Sequence, residues 1–431
     1  MTPALVEGLR RIVGPRWVRD RKAELATYRM DGLPTHESLP GAVVMPGTRA
    51  ELVEVVRLLH LLGVPFVARG AGTGLSGGAL ADPDAVLLTL TRLNRILRVD
   101  PVSHRATVQP GVVNARLSEA VAGLGLQYVP DPSSQSACTV GGNVAENAGG
   151  PHCLKYGVTT NHVVALEVVL PDASVVRLGS PQGEPWGPDL VGLFIGSEGM
   201  FGVATEITVR LERIPAAVRT LLADFSSVRA ASEAVSAVIA SGVVPAALEM
   251  MDQACVQAVE ASIYAAGYPT DAAAVLLVEL DGTAPQVEAE TALVEVILQE
   301  RGARSIRSAS SPADRARLWQ GRKKAFGAMG RIAPDLAVQD AVVPRSALPD
   351  ILDKIGEIRR RYGLAISNVF HAGDGNLHPN ISFDRRDPAL AARVRDASRE
   401  IMAACVAAGG SITGEHGVGN DKMSYMPWIF D

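Results

Sequence analysis

The sequence has no paired cysteines. Cys138, Cys153, Cys255 and Cys405 are widely scattered, with no C-x-x-C among them. That argues against a disulfide framework or an iron–sulfur ligand set and fits a reducing compartment. A basic excess is also missing: the formal net charge is −5, so a phosphate backbone finds no complementary field and nucleic acid is not an expected partner. No window approaches 18 consecutive apolar residues, so no membrane-spanning helix is expected. Glu7, Arg10 and Arg11 interrupt the stretch from Met1 to Val13, unlike the apolar core of a secretory leader. The expected location is the cytoplasm. Internal repeats and low-complexity tracts are absent as well.

What is present is an ordinary globular composition, 47% hydrophobic and 20% charged over 431 residues. That length is enough for two or three domains with their own cores. Residues 1–36 read as a polar prelude. Thr48-Arg49-Ala50-Glu51 reads as a capping box opening a helix with Leu52, Val55, Val56 and Leu59 on one face, stopped by Gly63. Strands are expected over 64–68, 85–90, 106–109, 163–170, 175–178 and 203–211. Beyond Ile214 the composition shifts. Long helices (228–241, 285–300, 312–330, 346–361, 387–408) alternate with strands at 274–280, 336–343 and 366–370, which predicts a second α+β domain.

Three glycine-rich stretches lie in the first half. Gly72-x-Gly74-x-x-Gly77 matches a dinucleotide fingerprint as text, but Gly78-Ala79-Leu80-Ala81-Asp82-Pro83-Asp84 leads into a strand where the fingerprint requires a helix. The stretch Arg69-Gly70-Ala71-Gly72-Thr73-Gly74-Leu75-Ser76-Gly77-Gly78 instead suits an anion nest of backbone N–H groups, or simply a surface turn. The second stretch holds Thr139, Gly141, Gly142, Asn143, Asn147, Gly149 and Gly150. It would let backbone lie against a flat ring, with Asn143 and Asn147 giving directional hydrogen bonds. The third runs from Gly196 to Gly202. Each glycine costs chain entropy, so three such loops in one domain argue for a ligand.

Of eight histidines, three fall in two compact segments, His371-Ala372-Gly373-Asp374-Gly375-Asn376-Leu377-His378 and Gly414-Glu415-His416-Gly417. A turn at Gly373–Gly375 could fold His378 back toward His371, and Glu415 could add an oxygen. Two imidazoles and a carboxylate suit Zn²⁺, Mn²⁺ or Fe²⁺ with open positions. His416 would then be available as a base. The same set also fits a non-haem iron oxygenase. Arg322, by itself, reads as a solvated helix charge.

Together the three loops resemble the FAD-binding domain of the vanillyl-alcohol oxidase (PCMH-type) flavoprotein family. The resemblance implies an α+β fold: a two-subdomain FAD-binding domain over 37–215, then an α+β cap domain over 216–431. Arg69, Gly70, Gly72, Thr73, Gly74, Ser76, Gly77 and Gly78 would hold the pyrophosphate. Pro132, Ser133, Thr139, Gly141, Gly142, Asn143, Asn147, Gly149 and Gly150 would cradle the flavin. Glu198, Gly199, Gly202, Val203 and Ile207 would lie beside the adenosine. No His or Cys occurs between 69 and 78, so noncovalent FAD is expected.

The histidine segments are similar to the subgroup of D-lactate, D-2-hydroxyglutarate and glycolate dehydrogenases, and most of all to its glycolate oxidase D-subunit group. By that resemblance His371, His378 and Glu415 bind a catalytic divalent metal, zinc or manganese. His416 is the general base, Asn380 faces the substrate, and Arg322 clamps its carboxylate. The implied chemistry is hydride transfer from the substrate α-carbon to flavin N5, with metal and histidine assistance. Val338 stands where the hydroxyglutarate enzymes usually carry a lysine, which points to a monocarboxylate such as glycolate or D-lactate. Electrons would leave through a sister FAD-type subunit and an iron–sulfur subunit feeding quinone, which would hold the chain peripherally at the inner membrane face. Relatives continue past Asp431 through an Asn-Pro-Gly-rich segment, so the cap domain reads as truncated. A D-2-hydroxyglutarate-type dehydrogenase, a noncatalytic scaffold subunit and an inactive truncated product remain the alternatives.

Overall fold

The computed structural model describes residues 1–180, 182 and 187–431. The chain divides into two compact units, each assembled from separated stretches. The first comprises Met1–Gly149, Gly157–Ile214 and Glu415–Met423. The second comprises Gly150–Tyr156, Pro215–Gly414 and Ser424–Asp431.

The first unit contains two main sheets. In the four-stranded sheet Ala42–Val44 and Phe66–Arg69 flank Val86–Thr89 in parallel, and Val18–Arg19 adds an antiparallel edge. Helix Arg49–Leu61 buries Leu52, Val55, Val56 and Leu59, the apolar stripe legible in the sequence. Its start differs from a symmetric capping box. Thr48 Oγ1 accepts the Glu51 N–H at 3.1 Å, but the Glu51 carboxylate takes the Gly47 N–H at 2.7 Å.

The five-stranded sheet is antiparallel, in the order 96–100, 105–108, 203–210, 163–169, 175–179. Its core gathers Val108, Leu117, Val140, Val144, Val168, Ile207 and Val209. The glycine stretch after Thr139 is helical over Val140–Glu146, with Thr139 Oγ1 capping the Gly142 N–H. Gly141 is needed there for close approach: a Cβ would meet Pro110 Cβ at 2.5 Å.

The second unit is built on an antiparallel nine-stranded sheet. Strands 303–308, 217–225, 274–282, 247–252 and 365–371 follow one another across it. Ala247–Asp252 is buried at every position, so both of its faces are covered. The stretch expected as one helix over 312–330 is two, Pro312–Lys323 and Ala325–Met329, because Lys324 leaves helical geometry. The strand expected over 336–343 is likewise split into Asp335–Val338 and Ala341–Val342. Residues 150–156 are tied to this unit by a His152–Trp319 ring stack at 5.5 Å and by Tyr156 Oη donating to Asp281 at 2.6 Å.

Candidate active site

In the first unit, the loop after strand Phe66–Arg69 carries a run of backbone N–H groups that could receive an anion. Among the described residues, the N–H groups of residues 71–76 have no protein acceptor. Successive unpaired N–H groups in a tight glycine loop form the concavity that takes phosphate oxygens. Gly72 lies at φ +72, and a Cβ there would meet the Arg69 guanidinium at 2.1 Å. Arg69 is itself buried, and it donates to the carbonyls of Met30 at 2.7 Å and Ala79 at 3.2 Å. Its charge organises the loop from beneath. The residues present therefore fit a pyrophosphate.

The other loop residues have mixed placements. Asn143 is buried and shares its amide with Asn114 at 3.0 Å and Cys138 at 3.5 Å. Asn147 caps its helix in the left-handed region and accepts the Thr160 N–H at 2.9 Å. Pro132 opens a turn, its carbonyl accepting from Gln135 at 2.7 Å. Ile207 is fully buried among apolar side chains, and Val203 begins the same strand. Glu198 grips the returning C-terminal segment: its carboxylate accepts the Val418 and Gly419 N–H groups, each at 2.7 Å.

Close to this grip lies Glu146, whose Oε2 is buried with no hydrogen-bond partner among the described residues. Burial, then the like charges of Glu198 and Asp31, push its pKa up to about 8 despite nearby Lys422. A carboxyl raised in this way is protonated in the folded state and ionised in the unfolded state between pH 4.5 and 8. Wild-type stability should therefore fall as pH rises through that window, by about 1.4 kcal/mol per pH unit. Glu146→Gln removes the ionisation, so its melting temperature should gain on wild type steadily from pH 5 to 8. A gap that stays constant across that range would refute the raised pKa.

The second unit brings together a polar cluster inside an apolar shell. His371 ends strand Ala365–His371 and Glu249 lies directly opposite it on Ala247–Asp252. The Glu249 carboxylate contacts His371 Nδ1 at 2.7 Å and accepts from Arg322 Nε at 2.7 Å. Arg322, in the last turn of Pro312–Lys323, is fully buried, contrary to its reading as a solvated helix charge. Its Nη1 has no hydrogen-bond partner among the described residues. Burial raises the Glu249 pKa, but the charges of Arg322 and His371 outweigh that and hold it below the usual value.

The hairpin at Gly373–Gly375 sets the His371 and His378 rings 5.3 Å apart and nearly perpendicular. His378 Nδ1 faces the Gln339 carbonyl at 3.3 Å. A carbonyl can only accept, and Glu249 is ionised. Nδ1 of each imidazole is therefore the nitrogen that donates to its oxygen, and Nε2 is the nitrogen on the other side of the ring. That is how metal-binding histidines are held. Asn380 is fully buried and donates to the His378 carbonyl at 2.6 Å, with its Oδ1 unpartnered among the described residues. Asp340 accepts from Thr413 Oγ1 at 2.7 Å and from the Gly414 N–H at 3.0 Å, fixing the chain immediately before Glu415. Glu415 and His416 belong to the first unit, His416 Nε2 lying 4.0 Å from Glu415 Oε1.

Glu249 and Asp340 were not among the residues singled out as site candidates. The sequence held a signal for the first: a lone carboxylate inside the apolar run Ala246-Ala247-Leu248-Glu249-Met250-Met251.

Comparison with known proteins agrees with the fold and family read from the loops. FAD linked oxidases, in their C-terminal domain, match residues 214–431, and an FAD binding domain matches residues 40–179. Glycolate oxidase subunit GlcD of Escherichia coli (strain K12) is 49% identical over 403 residues, covering 94% of this chain and 81% of that protein. Its namesake in Bacillus subtilis (strain 168) is 39% identical, covering 99% and 91%. A D-lactate dehydrogenase of Anaerostipes hadrus is 32% identical, also covering 99% and 91%. Solved p-cresol methylhydroxylase with substrate bound superposes with a TM-score of 0.82 at 18% identity, over 97% of this chain and 89% of that one. At that identity the likeness concerns the fold alone.

Proposed function

We propose that this chain, which belongs to the FAD-linked oxidases, oxidises a small 2-hydroxy monocarboxylate, glycolate or D-lactate, to the 2-oxo acid. The observation that carries the reading is a buried Arg322 with an Nη1 unpartnered among the described residues, in one cluster with two imidazoles whose Nδ1 atoms are each turned to an oxygen. A buried guanidinium with unsatisfied N–H groups calls for an anionic partner. The relatives named for glycolate and D-lactate support the substrate class.

FAD, when bound, supplies the hydride acceptor. The loop N–H groups of residues 71–76 hold its pyrophosphate, and with no His or Cys in that loop the flavin comes free on denaturation in acid. His371, His378 and Glu415 would hold a divalent metal, which supplies Lewis acidity at the substrate hydroxyl. Support comes from the Nδ1 contacts of both imidazoles and from Asp340, which fixes Gly414 one residue before Glu415. Arg322 orients the carboxylate, Asn380 faces the substrate with its acceptor Oδ1, and His416 accepts the hydroxyl proton.

The monocarboxylate preference rests on Val338. This buried apolar residue is the cross-strand neighbour of Asn380, so a second carboxylate finds no cation at that position. Two relatives are named as subunits, which supports an assembly. A sister FAD-type chain and an iron–sulfur chain passing electrons to quinone are the proposed partners, checked by iron copurifying with the native protein.

Chelator treatment tests the reading. Glycolate or D-lactate should bleach the flavin of untreated protein, and chelation should abolish bleaching while the flavin stays bound; Zn²⁺ or Mn²⁺ should restore it. An unchanged rate after metal removal would make the histidine pair structural.

A further inference from the structure

Glu249 divides its carboxylate between two partners of different chemistry. Oε1 faces His371 Nδ1 at 2.7 Å; Oε2 takes Arg322 Nε at 2.7 Å and lies 2.5 Å from Nη2. All three side chains are buried. An ion pair serving only to neutralise Arg322 would set both oxygens against the guanidinium in a two-pronged fork. Here one oxygen is given to an imidazole instead. That choice makes His371 a stronger ligand through Nε2, because a carboxylate on Nδ1–H raises ligand basicity. It also occupies the Nε edge of Arg322, so what remains for an incoming anion is the Nη1 end, which has no partner among the described residues.

We infer that Glu249 is a positioning residue that sets metal affinity and substrate-carboxylate affinity together, through His371 and Arg322. The inference rests on the proposed roles of those two residues. It further assigns the substrate carboxylate to the Nη1/Nη2 end of the guanidinium.

The test uses the flavin-loaded full chain, freed of metal, as wild type, Glu249→Gln and Glu249→Asp. Zn²⁺ titration reads the His371 arm. Calorimetry with oxalate on the metal-free protein reads the Arg322 arm, and flavin content reports folding. A glutamine offers one acceptor and turns an NH₂ toward the other donor. Glu249→Gln should therefore lose roughly 10–100-fold in Zn²⁺ affinity and also bind oxalate more weakly. Aspartate keeps the charge but is one methylene too short to span both partners, so it should restore at most one arm.

Wild-type affinity for both probes in a flavin-retaining Glu249→Gln would overturn the inference. Should the glutamine variant lose its flavin, the aspartate variant decides: a loss in either arm supports the role, and wild-type behaviour in both refutes it. Wild-type protein that binds no Zn²⁺ would sink the metal reading, while the oxalate arm would still test the hold of Glu249 on Arg322.

Discussion

His416→Ala should slow flavin reduction by roughly 10²–10⁴-fold, the range for loss of a positioned general base, with substrate affinity little changed. The segment carrying His416 is held by bonds from the residues that follow it, 418–421. Glu198 accepts the Val418 and Gly419 N–H groups at 2.7 Å, the Asp421 N–H reaches the Ser76 carbonyl at 3.0 Å, and Asn420 donates to the Gly77 carbonyl at 3.0 Å. Removing the side chain leaves those bonds in place, so a rate loss would report chemistry, not collapse. Stopped-flow reduction by glycolate or D-lactate, read over a range of substrate concentrations, separates rate from binding. Reduction at the wild-type rate would end the assignment of His416 as base.

Arg322→Ala should act differently, on binding and on stability together. Deleting the guanidinium leaves Glu249 buried without its cation, and breaking a buried pair from one side costs about 3–5 kcal/mol. Substrate affinity should fall as well, by about 1.5–3 kcal/mol for a lost charge-assisted hydrogen bond. Arg322→Lys should recover much of the stability, since it restores the charge, and less of the affinity, since an ammonium cannot reproduce the planar fork. Thermal unfolding and oxalate binding measure the two effects separately. Arg322→Ala melting at the wild-type temperature would mean the pair does not hold the unit together, and unchanged oxalate affinity would remove Arg322 from the substrate site. Together the two variants also test the division of labour: a base moves rate alone, whereas the clamp moves affinity and stability.

The sequence by itself determined what short-range chemistry can encode. Five glycines between Gly70 and Gly78, leading into a strand, specify a loop and not a helix, and its N–H groups at 71–76 have no acceptor among the described residues. Thr48 three residues before Glu51 specifies a helix start, and the apolar spacing behind it specifies the buried face. The His371-to-His378 hairpin was legible for the same reason, since its turn lies between the two residues. Some local readings still gave way to packing. The second glycine stretch is a helix in which Gly141 allows a close approach to Pro110, a contact absent from any local pattern.

Tertiary structure decided the rest, because the deciding partners are far apart in the chain. Arg322 and Glu249 are separated by 73 residues, and His371 and Glu249 by 122. No periodicity links them. Only the pairing of Ala247–Asp252 with Ala365–His371 sets Glu249 against His371. Burial then changes what each group is. Arg322, which as part of an Arg-Lys-Lys run reads as a solvated charge, becomes a guanidinium that must find an anion, and both imidazoles turn Nδ1 to an oxygen. Residues 150–156 and 415–423 each fold with the unit that the neighbouring sequence does not belong to. Chain order cannot foretell such an exchange, because it depends on side chains such as His152 and on carboxylates such as Glu198 finding partners across long separations.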